Sequence, residues 1–245
     1  MRHPLRQDHT GVYLVDKPPG PTSFRLVSVM KRLSGIKKVG HAGTLDPFAS
    51  GLLVICVGRP ATRLVPRLMA GVKEYEAVIR LGITTDTMDT EGRVIRERPV
   101  VAMGMRQITE ALQKFIGACE QKPPCFSAVK HQGRPLYTFA RQGIRVDKDP
   151  RTITIFAITP LFTSFTSQAA PENLLGFKVS CSKGTYIRVL AEEIGNALGC
   201  GGHLKSLRRT GSGSFHVKNA VPAGLLTGRQ GNLLLQKKRV LVEEF

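Results

Sequence analysis

The stretch Gly40-His41-Ala42-Gly43-Thr44-Leu45-Asp46-Pro47-Phe48-Ala49-Ser50-Gly51 runs straight into Leu52-Leu53-Val54-Ile55-Cys56-Val57. The second half is an unbroken apolar run, which predicts a strand buried on both faces. The first half sets one carboxylate, Asp46, in a loop framed by glycines and a proline. Glycines beside a single acid let the backbone approach a ligand closely and fix one side chain in one pose. An isolated Asp-Pro would be only a turn; the framed twelve-residue pattern marks a site.

Outward from this loop the pattern is mixed. Val12–Val15 predicts a short strand. Thr22 or Ser23 can cap a helix with Phe24, Val27, Met30 and Leu33 on its apolar face, and Gly35 stops it. Residues 62–69 predict a helix bent or ended near Pro66. Lys73 to Leu81 alternate, with Tyr75, Ala77, Ile79 and Leu81 on one face. A helix is predicted over residues 107–116, strands over 152–158 and 175–182 joined by a polar link at 168–173, and a helix over 185–198. Val240 to Val242 reads as a last strand. Between them, residues 122–146 carry Lys122, Lys130, Arg134, Arg141 and Arg145 and no acid, and include a short helix near 136–142. This segment is read as a mobile basic arm inserted between core elements. Strands and helices do not alternate regularly, so the fold class is α+β and not a doubly wound sheet.

Charge points to the partner. The 245 residues hold 36 Lys+Arg against 18 Asp+Glu, a net charge of +18, and 42% are hydrophobic. That composition is enough for a packed core, and a potential of this sign draws a polyanion. From Gly195 to Leu241 there is no acidic residue. A solvated face normally mixes both signs, so this run favours a phosphate-binding surface. Five scattered cysteines without a C-x-x-C pair exclude a disulfide framework, and no cluster has zinc spacing. The polar start and the absence of a long apolar window predict a reduced cytoplasmic protein without metal or membrane span.

The Gly40–Gly51 box resembles the catalytic box of the TruB family of pseudouridine synthases. Six further stretches are similar to the family's motifs, in order: Asp16 to Ser23, Lys73-Glu74-Tyr75, Gly82 to Asp89, Pro123 to Lys130, Ser182 to Arg188 and His203 to Arg209. The resemblance implies a large mixed, mostly antiparallel sheet with flanking helices and a central RNA-binding cleft. It implies a tRNA pseudouridine synthase acting on the T-arm uridine at tRNA position 55, with no cofactor. Its expected partner is the T-arm stem-loop of tRNA, bound by a monomer. Residues 1–221 would form the catalytic domain. Residues 222–245 would be a short basic tail, too short for the small RNA-binding domain that longer relatives carry there.

Making pseudouridine breaks the N1–C1′ bond, rotates the base and joins C5 to C1′. A carboxylate near an anomeric centre stabilises its developing charge or attacks it. Glycosidases need two carboxylates because a water must be activated; this box offers one, which fits an isomerisation in which the uracil stays bound. Asp46 is the expected nucleophile or base. The resemblance gives Arg188 as its ion-pair partner, although alone Arg188 could equally be a phosphate contact. Tyr75, otherwise a core tyrosine, would stack on the target base and later accept a proton from C5, and Tyr186 would form the second wall. Leu207 would touch the uracil, and His41 would hold the flipped nucleotide out of its loop. Lys17 is set in the cleft floor, as structural support or as a substrate contact. Lys130, Arg141, Lys183, Lys205, Arg208 and Arg209 are expected to meet RNA phosphates. Two rivals remain open: a non-catalytic RNA-binding or remodelling protein, and a base-removing glycosylase.

Overall fold

In a computed structural model, which describes residues 9–164 and 173–240, the Leu52–Val57 run makes up all but the first two residues of a strand with covered faces. The elements follow in chain order: β1 Gly11–Lys17, α1 Ser23–Ser34, β2 Val39–His41, β3 Ser50–Val57, α2 Gly58–Arg63, α3 Val65–Ala70, β4 Lys73–Leu81, β5 Ile83–Thr85 and β6 Val94–Glu97. Then come α4 Met105–Gln113, β7 Gly117–Gln121, β8 Lys130–His131, β9 Arg134–Pro135, α5 Leu136–Ala140, β10 Arg151–Ser164 and β11 Leu174–Cys181. The last are α6 Ile187–Ala197, β12 Gly202–Ser212, β13 Phe215–His216, β14 Val221–Pro222 and α7 Gly228–Lys237. They divide into two units, residues 1–73 with 208–245, and residues 74–207.

In the first unit β1 and β3 pair antiparallel from Gly11↔Val57 to Lys17↔Gly51. The first β3 residues also pair parallel with the end of β12, Arg208↔Ser50 and Arg209↔Gly51. On one face Tyr13, Val15, Leu53, Ile55 and Val57 pack with Leu26 and Met30 of α1 and with Leu226 and Leu235. On the other, Val12, Leu14, Leu52, Val54 and Cys56 pack with Ala42 and Ala61. Because both faces are covered, β3 has no polar alternation, and the Cys56 thiol is pushed up to about 12 by burial.

Helix α1 is capped as predicted: the Thr22 hydroxyl accepts from the Arg25 amide at 3.2 Å and Gly35 closes the helix in the left-handed region. Its inward face differs from the prediction. Leu26, Val27 and Met30 are buried, whereas Phe24 is 65% exposed and lies under the Lys31 ammonium. Ser23 occupies the inward position that the Phe24 stripe would have claimed, one residue off phase. The 62–69 helix is two helices, α2 and α3, with the proline in the first turn of the second.

In the second unit the strand order is β12-β4-β11-β10-β7. β10 pairs antiparallel with β11 and with β7, and its register slips twice against β11. β4 alternates buried and less buried residues over the predicted span, Lys73–Leu81. Most of the expected polar link at 168–173 lies outside the described residues. Antiparallel pairings predominate across the described strands, with parallel ones at β1–β14 and β3–β12, so the α+β class with a mixed sheet and flanking helices is what the chain forms. Strand β12 is not foreseen by the sequence pattern, because its cations and glycines hide the alternation. Of the predicted last strand, Val240 pairs with Val12 as a single antiparallel bridge, and residues 241–242 lie outside the description.

Candidate functional site

Asp46 follows β2 and precedes β3 in a loop whose backbone is held from several sides. The Ser23 hydroxyl donates to the Leu45 carbonyl at 3.0 Å and accepts from the Leu45 amide at 2.9 Å. The Lys17 ammonium donates to the carbonyls of Pro47 and Pro18, each at 3.0 Å. Arg209 donates through Nε to Leu52 at 2.7 Å, through Nη1 to Thr44 at 3.4 Å and through Nη2 to Gly43 at 3.1 Å. The Gly20 amide donates to the Pro47 carbonyl, and the Ala49 amide to the backbone carbonyl of Asp46.

Two glycines permit this arrangement. Gly51 has φ +98°, and a side chain there would collide with the Arg209 backbone on the neighbouring strand. Gly43 has φ +108° and sits against the Arg209 guanidinium. Both are conformations that L side chains rarely adopt.

One cation in this unit therefore stands elsewhere than expected. Arg209 is 1% exposed, so the expectation of a phosphate contact is corrected: its guanidinium is taken up by carbonyls inside the protein. Lys17 is fully buried on carbonyls, which is the structural alternative for this residue. Arg208 is half-exposed and makes a bidentate pair with Asp16, at 3.1 and 2.7 Å. His41 ends β2, and its Nδ1 is buried without a hydrogen-bond partner. Burial, and then the Arg209 charge, lower its pKa below the ordinary 6.5, so it is neutral at pH 7.

Arg188, Tyr75, Tyr186, Leu207, Lys130, Arg141, Lys183 and Lys205 belong to the second unit. Arg188 lies in the first turn of α6 and forms a pair with Asp89 at 3.4 Å, both side chains 5% exposed. Its Nη1 donates to the Thr87 carbonyl at 3.0 Å and its Nη2 to the Phe126 carbonyl at 2.8 Å. Asp89 in turn accepts from the Thr87 hydroxyl at 2.5 Å and from the Glu91 amide at 3.0 Å. Buried charges persist when paired and hydrogen-bonded throughout, and this pair meets that condition.

The sequence pattern assigns Asp89 no role. The available signal is a second acid closing the Gly82–Asp89 motif, where Asp86 is the turn-forming one and accepts from the Arg93 amide. Tyr186 caps α6, and its backbone exchanges two hydrogen bonds with the Gln121 side chain. Tyr75 is 8% exposed on the buried face of β4, and Leu207 is buried on β12. Lys130, Arg141 and Lys183 are exposed, and Lys205 is half-buried.

Among the described residues no helix is long and apolar enough to cross a membrane, and no group of three acidic, histidine or cysteine side chains could hold a metal.

Against known proteins, the model of the TruB family pseudouridylate synthase N-terminal domain matches residues 31–187. The model of the tRNA pseudouridylate synthase B C-terminal domain matches residues 188–228. The chain is 48% identical over 238 residues to the tRNA pseudouridine synthase B of Desulfotalea psychrophila, covering 97% of this chain and 96% of that one. It is 49% identical over 218 residues to that of Ralstonia pickettii, covering 89% and 67%. Among solved structures, a Cbf5–Nop10–Gar1 complex superimposes with TM-score 0.68 at 30% identity, and an H/ACA ribonucleoprotein bound to a substrate RNA containing 2′-deoxyuridine with 0.64 at 28%. These cover 96% and 94% of this chain but only 58% and 55% of the solved chains.

Proposed function

We propose, because this chain belongs to the TruB family of pseudouridylate synthases, that it isomerises the T-arm uridine of transfer RNA at position 55. The observation that carries the reading is the Asp46 loop: a single carboxylate on a backbone fixed by side chains at Gly43, Thr44, Leu45, Pro47 and Leu52. Fixing the group before substrate arrives is what a positioned carboxylate requires. Asp46 acts on C1′ or a sugar proton as N1–C1′ breaks. The uracil stays bound and turns, C5 joins C1′, Tyr75 accepts the C5 proton and N1 takes one up, so the change is an isomerisation that consumes no water.

Arg188 is the proposed partner that keeps Asp46 ionised and oriented, and it comes to that task already held by Asp89, Thr87 and Phe126. Tyr75 and Tyr186 stack on the base, Leu207 bounds the uracil, and His41, neutral at pH 7, holds the extruded nucleotide. Lys130, Arg141, Lys183 and Lys205 meet phosphates.

The T-arm stem-loop is the proposed substrate unit, bound by a monomer in the cytoplasm. Residues 1–221 are the proposed catalytic domain. The tail after them is tied to it by Leu226 and Leu235, which fill the same core as Met30. The test is to incubate the protein with a T-arm stem-loop carrying uridine at that position and to analyse the nucleosides. Pseudouridine supports the reading. Free uracil would assign a glycosylase, and unchanged uridine with tight binding would assign a non-catalytic RNA binder.

A further inference from the structure

We propose that Arg209, with Ser23, is a positioning residue for the catalytic carboxylate: its buried guanidinium clasps the backbone on both sides of Asp46. This rests on the assignment of Asp46 made above.

Arg209 lies on β12, and its guanidinium reaches carbonyls before the acid, Gly43 and Thr44, and after it, Leu52. The loop between these points is closed by one planar group. Ser23, from α1, fixes the middle of the same loop through both backbone groups of Leu45, the residue before Asp46.

Cost separates a positioning role from mere filling. Among the described residues no carboxylate pairs with Arg209, although it is 1% exposed. Burying a charge without a counter-charge is unfavourable, and an apolar side chain of similar volume would stabilise the strand pair better. What an apolar side chain could not do is hold separated carbonyls at fixed angles, which a five-donor planar fork does. The β12–β3 pairing and Gly51 already anchor the start of β3. The guanidinium adds the link back to the Gly43 side, and so sets the loop's span.

The experiment compares Arg209→Met, Arg209→Lys and Ser23→Ala with the wild type. It measures the single-turnover rate at saturating stem-loop, the stem-loop Kd and the melting temperature. For Arg209→Met the rate should fall about a hundredfold, as a displacement of about 1 Å at the reacting group would produce. The Kd should stay within about threefold, because phosphate contacts carry affinity. Arg209→Lys keeps the charge but presents a point donor, so it should recover only part of the rate. Ser23→Ala should show the same pattern more weakly, about tenfold.

A folded Arg209→Met enzyme with wild-type rate, a loss confined to Kd, or full rate in Arg209→Lys would each overturn the proposal. If Arg209→Met does not fold, Ser23→Ala decides, and a wild-type rate there overturns it. Asp46→Asn is run beside them: turnover in that variant would sink the Asp46 assignment itself, a different result from active Arg209 variants beside a dead Asp46→Asn.

Discussion

Between Gly43 and Leu52 the carbonyls of five residues are taken by Lys17, Ser23 and Arg209, cations and a hydroxyl buried out of reach of solvent. Between residues 122 and 146 the cations point the other way. Lys122, Lys130, Arg134, Arg141 and Arg145 are exposed; Lys130 and Arg134 sit on a hairpin of two-residue strands, and Arg141 caps a five-residue helix. Arg134 lies over the Phe139 ring at 5.0 Å and Arg141 over Tyr137 at 5.4 Å, contacts that leave their hydrogen-bond donors available. The same residue types thus do opposite work. Buried, they commit their donors to backbone and fix geometry. Exposed, they leave donors turned to solvent, where the proposed RNA phosphates would meet them, and geometry stays adjustable. Chemistry should depend on the first region and affinity on the second.

The largest expected effect is at the loop's one carboxylate. Asp46→Ala should lower turnover on the order of 10⁴-fold or more, as loss of a central catalytic group does, while RNA affinity stays close to wild type. Single-turnover assays beside a binding titration measure both. Substantial residual turnover would remove the contrast at its root.

Next is Arg188. Replacing it by Met leaves Asp89 as an unpaired buried charge, which should destabilise the protein by about 3–5 kcal/mol and cut turnover strongly. Adding Asp89→Asn should recover part of that stability, since the orphan charge goes, but should not recover turnover. Arg188→Lys should restore activity only in part, because a compact ammonium cannot span the separated acceptors Asp89, Thr87 and Phe126 that the planar fork reaches. Denaturant melts and single-turnover rates on the three variants check this; an Arg188→Met protein as stable as wild type would show that the pair holds nothing.

Local pattern explains which of these parts can be read from sequence. β3 is legible because a strand covered on both faces writes itself as a continuous apolar run, and β4 because one-sided burial writes strict alternation. The Asp46 box is legible because positive-φ turns demand glycine. Arg209 misleads because a cation in the basic run Lys205–Arg209 looks like surface. Period-two counting from buried Leu207 turns Arg209 inward and Arg208 outward, as found. No local signal could reveal what satisfies a buried guanidinium, since its carbonyl partners lie more than a hundred residues away and any residue type carries one. Asp89 is hidden likewise, its partner being on α6.

The arm supplies a smaller effect of the opposite kind. Arg134→Ala with Arg141→Ala should weaken stem-loop binding and flatten the dependence of log Kd on log salt by about 0.7–0.9 for each phosphate left without its cation. The rate at saturating RNA should change little. Titrations at several salt concentrations, paired with single-turnover rates, test this. A fall in the saturated rate with unchanged salt slope would assign the arm to positioning, and the division between the two regions would be wrong.

The smallest effect is a pH dependence of the loop's own unit. His41 has its pKa lowered by burial and then by Arg209, so in the folded protein it resists a proton that the unfolded chain accepts at the ordinary 6.5. The unfolded state therefore binds more protons as pH falls through that value, and folding loses stability there until the lowered folded pKa is reached. His203, lowered chiefly by burial, adds a loss of the same sign from the second unit. The melting temperature should accordingly drop between about pH 7.5 and 5.5, and His41→Gln should remove part of the drop while His203→Gln removes another part. If His41→Gln left the slope unchanged, the imidazole would already be free to charge in the folded state. The buried cation behind the Asp46 loop would then be better screened than its enclosure implies.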